Sequence, residues 1–132
     1  MASIRKEIQI DAPPEKVWDA LRDFGALHER LVPGFVTDCR MDGEDRIVTF
    51  ASGAVVREVL IDLDDEQRRL VWSIVDGPYR HHNGMAQVFA EGDGSRFVWT
   101  TDVLADDEVV RVTDESMETG VGVAKKTLEA AD

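Results

Sequence analysis

The chain has 132 residues, 43% of them hydrophobic and 32% charged, which suits one domain with a core of its own and excludes wholesale disorder. Fifteen basic against 27 acidic residues leave a net charge of −12, so the chain repels phosphate backbones and nucleic-acid binding has no support in it. No apolar run approaches the ~20 residues of a membrane helix. Met1-Ala2-Ser3-Ile4-Arg5-Lys6-Glu7 lacks the apolar stretch of a secretory signal, and one cysteine, Cys39, makes neither an internal disulfide nor a cysteine-rich zinc site, which points to a reducing cytoplasm.

Residues 3–11 alternate towards their end, Ile8 and Ile10 on one face and Glu7 and Gln9 on the other, which predicts a first strand. Ala12-Pro13-Pro14-Glu15 opens a helix, because proline is tolerated in a first turn and an acid there suits the helix dipole. Val17, Ala20, Leu21 and Phe24 recur at helical spacing beside Trp18, and Gly25 reads as the stop. Ala26 to Val32 reads as a second short helix, ended by Pro33-Gly34. Six β segments follow: Phe35–Met41, Arg46–Ala51, Ala54–Leu63, Arg69–Asp76, His81–Glu91 and Ser95–Leu104, each closed by a turn signal such as Asp42-Gly43 or Gly92-Asp93-Gly94. Val110, Met117, Val121, Ala124, Leu128 and Ala131 then mark one face of a long helix that starts between Asp106 and Asp114. Short connections make consecutive strands antiparallel. The expected fold is α+β: a curved seven-stranded antiparallel sheet wrapped around the long C-terminal helix, with two short helices between strands 1 and 2, in one domain over residues 1–132.

Strand alternation nominates interior side chains. Phe97, Trp99, Thr101 and Val103 share a face opposite Arg96 and Asp102, so Trp99 points inward. Cys39 shares parity with Phe35, Thr37 and Met41, which assigns it to the interior as an inert thiol with no histidine near it in sequence. His82 has the parity of Gly84, Ala86 and Val88, which turns it inward; a partly exposed histidine beside the Gly77-Pro78-Tyr79 turn is the alternative. A pocket histidine would bind a carbonyl or shuttle a proton. Of the neighbours Arg57 and Glu58, one faces the core, and the apolar pattern does not decide which: Val55, Val59, Ile61 and Leu63 accompany Arg57, whereas Val56 and Leu60 accompany Glu58. A charge on that face must be paired, hydrated or ligand-bound. Gly120 and Gly122 interrupt the last helix at about 1 kcal/mol each and read as room for a ligand beneath it, with close packing of helix on sheet as the alternative. His28, His81 and His82 do not form a three-ligand zinc site, and there is no glycine-rich phosphate loop and no G-x-S-x-G elbow, so no metal and no cofactor is expected.

The stretch Ile8-Gln9-Ile10-Asp11-Ala12-Pro13-Pro14-Glu15-Lys16-Val17-Trp18, the helix through Asp23-Phe24, Val56-Arg57-Glu58, Leu70–Pro78, and Gly92-Asp93-Gly94-Ser95 before Val98-Trp99 resemble the SRPBCC or START-like helix-grip superfamily. Within it, the polyketide cyclase/dehydratase-like branch is the most similar, over essentially the whole chain. One departure is His28-Glu29-Arg30-Leu31-Val32-Pro33, where relatives often carry a tryptophan before the proline. The resemblance implies a deep cavity between the concave sheet and the C-terminal helix that takes a hydrophobic, lipid- or polyketide-like molecule. It also favours Glu58 as the inward residue, since relatives tend to keep an acid there. The expected ligand cavity is lined by Phe35, Cys39, Trp72, Trp99 and Met117, with Glu58 and His82 as polar contacts, and exceeds ~300 Å³. Some relatives catalyse aromatisation, cyclisation or dehydration and many only bind, so an enzyme using Glu58 or His82 as acid or base is the alternative. A third reading is an interaction module whose acidic surface prefers a basic partner.

Overall fold

The computed structural model describes residues 2–130. In chain order the elements are β1 (Ala2–Ile10), α1 (Pro14–Arg22), β2 (Val36–Asp42), β3 (Asp45–Phe50), β4 (Val55–Asp64), β5 (Arg69–Ile74), β6 (His81–Glu91), β7 (Gly94–Leu104) and α2 (Asp107–Glu129). The strands form one seven-stranded sheet in the order β1-β7-β6-β5-β4-β3-β2, antiparallel throughout. Successive hairpins lay down β2 to β7 side by side. β1 completes the sheet on the free edge of β7, in register from Ala2↔Val103 to Ile10↔Ser95. α1 and the turns after it carry the chain from one edge strand to the other.

Short helical segments lie between β1 and β2 as expected, α1 first and then a stretch of irregular helical turns. Helical geometry stops at Arg22, one 3₁₀ turn follows at Phe24–Ala26, and Leu27–Leu31 form a single π-helical turn closed by the Val32 N–H on the Leu27 carbonyl at 3.0 Å. Gly25 is therefore not a helix stop. It sits where Met41 crosses, and a Cβ there would lie 3.0 Å from the Met41 Cγ. The tightened turn drives the Phe24 ring into the core and leaves its carbonyl facing the interior, where it later proves useful.

Two β-bulges reset the strand alternation. In β2 the register shifts between Val36 and Asp38. Val36 and Cys39 are buried while Thr37 and Met41 are exposed, so the expected interior set of Phe35, Thr37, Cys39 and Met41 is corrected. In β4 the shift falls between Leu60 and Asp62. An extra residue flips the parity of everything after it. Val56, Glu58 and Leu60 face the interior before the bulge, and Val55 and Ile61 are 56% and 57% exposed. That flip is why the apolar pattern around Arg57 and Glu58 was ambiguous.

α2 begins at Asp107, with Asp107 and Glu108 in its first turn, and its β-branched start Val109-Val110-Arg111-Val112 is helical. Its buried face is Thr113, Met117, Gly120, Val121, Ala124 and Leu128; Ala131 lies outside the described residues. The helix is tied to the β1 edge by Lys6, whose Nζ lies 2.7 Å from Asp114 and 3.2 Å from Glu118, and by Lys125, which donates to the Gln9 carbonyl at 2.7 Å. Among the described residues, no helix is long and apolar enough to cross a membrane.

Candidate functional site

The sheet register lines up the polar groups of the concave face. Arg46 on β3 pairs with Glu58 on β4, Glu58 pairs with Ile74 on β5, and the Ile74 N–H donates to His82 Nδ1 on β6 at 3.1 Å. Arg46, Glu58, Ile74 and His82 thus form one row across four strands. In the neighbouring row stand Leu60, Trp72, Gly84 and Thr101.

Glu58 faces the interior and Arg57 faces out, where it bridges Asp42 and Asp45. The Glu58 carboxylate is not alone. Arg46 Nε and Nη2 both reach its Oε1, at 2.8 and 2.7 Å, with the two side chains only 4% and 6% exposed. The third guanidinium nitrogen, Nη1, donates to the Phe24 carbonyl at 3.1 Å, and the guanidinium lies 3.8 Å from the centre of the Phe24 ring. Two charges removed from water are stable together only if their hydrogen bonds are met and the geometry is tight, and here the turn carbonyl and the ring complete the set. Arg46 was not a candidate from sequence. The signal was present, since Arg46 has the parity of Val48 and Phe50 in β3.

His82 is 5% exposed. Burial, followed by the nearby charge of His81, pushes its pKa down to about 4, so the ring is neutral near pH 7. Because Nδ1 accepts from Ile74, the ring proton sits on Nε2. Its ring centre lies 5.0 Å from that of Tyr79. Thr113 donates to the Val109 carbonyl at 2.7 Å, so the Tyr79 hydroxyl, 2.8 Å away, is the donor in its bond with Thr113.

A pocket of about 440 Å³ lies between this face and α2. Phe35, Phe50, Trp72, Trp99 and Met117 form its apolar walls, and Arg46, Glu58, His82 and Thr101 also line it. The Trp72 and Trp99 rings are 6.3 Å apart. Trp72 lies flat across the backbone of Gly84, so closely that a Cβ at Gly84 would fall 2.6 Å from its Cε2. Glycine inside a strand here marks a close approach. Among the described residues, two pocket-lining polar atoms are buried without a hydrogen-bond partner: Trp99 Nε1 and Thr101 Oγ1.

Cys39 is buried but does not line the pocket. Its thiol sits against the Phe24 carbonyl, Sγ to O 3.7 Å, and burial pushes its pKa up, which keeps it protonated. The two helix glycines part company. A Cβ at Gly120 would meet Trp99 Cζ3 at 3.0 Å and Phe35 Cε2 at 3.4 Å, so its missing side chain is occupied by aromatic rings. Gly122 is on the exposed face with nothing within 4 Å, and gives no room to a ligand. Among the described residues, no group of three or more His, Cys, Asp or Glu side chains is placed to hold a metal ion.

An antiparallel sheet curled about its C-terminal helix, with an apolar pocket between them, defines the class of this protein. The family described as polyketide cyclase / dehydrase and lipid transport matches residues 1–129, and the chain belongs to that family. Similar solved structures include an uncharacterised protein from Bacillus thuringiensis (18% identity, TM-score 0.86, covering 98% of this chain and 100% of that one). Another is a solution structure from Thermobifida fusca (25% identity, TM-score 0.79, covering 98% and 91%). A third is a norcoclaurine synthase point mutant from Thalictrum flavum in complex with a transition-state analogue (18% identity, TM-score 0.73, covering 96% and 93%). No curated protein sequence matches the chain.

Proposed function

We propose that the chain binds a hydrophobic, lipid- or polyketide-like small molecule in the pocket between the sheet and α2, in a reducing cytoplasm. The observation that carries this reading is a pocket of about 440 Å³, walled by aromatic rings and Met117, whose buried Arg46–Glu58 pair is already neutralised internally. Small-molecule sites are concave and mostly apolar, with a few placed polar groups, from ~300 Å³ upward. The fold of the norcoclaurine synthase supports a pocket reading and not a reaction.

The enzymatic alternative needs a group free to move a proton. Glu58 is held by Arg46, and the Nδ1 of His82 is engaged by the Ile74 N–H. Both side chains are better placed to shape and orient than to exchange protons. Native mass spectrometry of freshly purified protein tests the binding reading. An apolar adduct is expected on the wild-type chain and is expected to weaken on Met117→Trp, whose larger side chain intrudes into the pocket. A bare wild-type chain that also takes up no apolar fluorescent probe refutes it.

A further inference from the structure

Part of the pocket's room comes from a residue that does not line it. Gly84 lies within β6, on the inner face between His82 and Ala86. Its φ is not positive, so its own backbone does not call for glycine. A glycine inside a strand weakens it, and marks a place where another group comes close. Here that group is the side chain of Trp72, the residue paired with Gly84 in β5. A Cβ at Gly84 would fall 2.6 Å from Trp72 Cε2, 2.8 Å from Cζ2 and 2.9 Å from Nε1. The indole edge therefore occupies the space in which a side chain on the sheet would stand. An ordinary carbon–carbon contact is ~3.5–4.0 Å, so a methyl group at Gly84 would drive the ring off the sheet by ~1 Å. The ways out are unequal. Trp99 stands beside the ring, centres 6.3 Å apart and planes tilted by 43°. It is backed in turn by Gly120 of α2, where a Cβ would meet Trp99 Cζ3 at 3.0 Å. The Arg46 guanidinium, 5.8 Å from the Trp72 ring centre, is held by Glu58 and by the Phe24 carbonyl. The pocket is the open side, and Trp72 is one of its walls.

Resting on the reading that the pocket is a ligand site, we propose that Gly84 is a positioning residue that sets the thickness of the ligand the pocket admits. By seating Trp72 against the sheet, it opens the pocket to bulky, non-planar apolar molecules. With a larger residue at this position the displaced indole narrows the pocket to a slot for single chains. Selection by cross-section then resides in the sheet beneath the wall, in a residue that acts on the ligand only through Trp72.

Two uncharged alcohols with the same number of carbons and different shapes test this: 1-adamantanol, a rigid cage, and 1-decanol, a single chain. Dissociation constants are measured by titration calorimetry, and folding is followed by urea unfolding. The wild-type chain is expected to bind both. Gly84→Ala should weaken 1-adamantanol by about tenfold, the scale of a modest overpacking, and 1-decanol by less than about twofold. Trp72→Leu lacks the ring edge that meets Gly84. It should shift the ratio of the two affinities the other way, towards 1-adamantanol, and it keeps the test decisive should Gly84→Ala fail to fold. On the Trp72→Leu background the added methyl of Gly84→Ala has no ring to displace and should leave the ratio unchanged, a rescue that a general loss of stability would not produce. A ratio untouched by Gly84→Ala, a shift that persists in full on the Trp72→Leu background, or a ratio that Trp72→Leu fails to raise overturns the role of Gly84 and leaves the binding site standing. Uptake of neither alcohol by the wild-type chain overturns the binding reading beneath it instead.

Discussion

Deleting the Glu58 carboxylate isolates the effect of its partner. In Glu58→Ala the Arg46 guanidinium stays charged, in a site where its side chain is 4% exposed and too deep to reach water without disturbing the core. Breaking a buried pair in this way costs about 3–5 kcal/mol, against under ~1 kcal/mol for an exposed pair. Arg46 keeps its bond to the Phe24 carbonyl and its place over the Phe24 ring at 3.8 Å. Those contacts recover part of the loss, which puts the expected cost near ~3 kcal/mol, a large share of the ~5–15 kcal/mol available to a domain of this kind. Glu58→Gln retains the shape and an acceptor oxygen and should cost about half as much, since a neutral acceptor is roughly half as strong as a charged one. Removing both charges with Arg46→Met and Glu58→Leu should restore most of the stability, because apolar side chains of similar volume often replace a buried pair without loss. Urea unfolding followed by tryptophan fluorescence measures all three, with Arg57→Ala on the outer face as the control expected to lose under ~1 kcal/mol. A Glu58→Ala cost equal to that of the control, or a double variant no better than the sum of its singles, would show that Arg46 and Glu58 are not an energetically coupled pair.

His82 makes stability depend on pH with a defined sign. Its folded pKa, about 4, lies below the ordinary histidine value of 6.5, so the unfolded chain takes up the extra proton between those limits. The full contribution of neutral His82 is present above pH 6.5 and is lost as pH falls towards 4; at ~1.4 kcal/mol per unit this amounts to the order of 3 kcal/mol. The wild-type stability curve should therefore fall more steeply than that of His82→Asn across this window, and parallel curves would mean that the imidazole is solvated. The two helix glycines should respond in opposite ways. Gly122→Ala meets nothing and should raise the urea-derived stability by up to ~1 kcal/mol. Gly120→Ala pushes a methyl to 3.0 Å from the Trp99 ring, so its helical gain should be cancelled and the near-ultraviolet dichroism of Trp99 altered. Equal stabilisation by both would refute the close contact.

Much of the architecture could be read from the chain because it rests on local rules. The strand boundaries follow turn signals such as Asp42-Gly43 and Gly92-Asp93-Gly94, and every strand lies within a residue or two of where alternation and turn chemistry put it. The period change to one apolar face at Met117, Val121, Ala124 and Leu128 announced the long helix, since only packing against the sheet can bury such a stripe. The inward parity of Trp99 and His82 followed from the same period-two rule.

Tertiary structure decided what depends on an inserted residue or on distant partners. The bulges at Thr37 and Ile61 break parity without a local signature, which misplaced Thr37 and Met41 and left Arg57 and Glu58 unresolved. Gly25 looked like a helix stop, yet its role is set by Met41, sixteen residues on. Gly120 and Gly122 are indistinguishable on paper, and only the positions of Trp99 and Phe35 separate the close contact from the open one. The inward Glu58 needed a cation, but the choice of Arg46 required the register of β3 on β4 and a turn that aims the Phe24 carbonyl at the same guanidinium. Turn residues and apolar period act over a few positions and are written into the chain one segment at a time. Pairing of buried charges, ring-on-backbone contacts and the shape of the pocket arise from residues that meet only once the sheet has curled around α2.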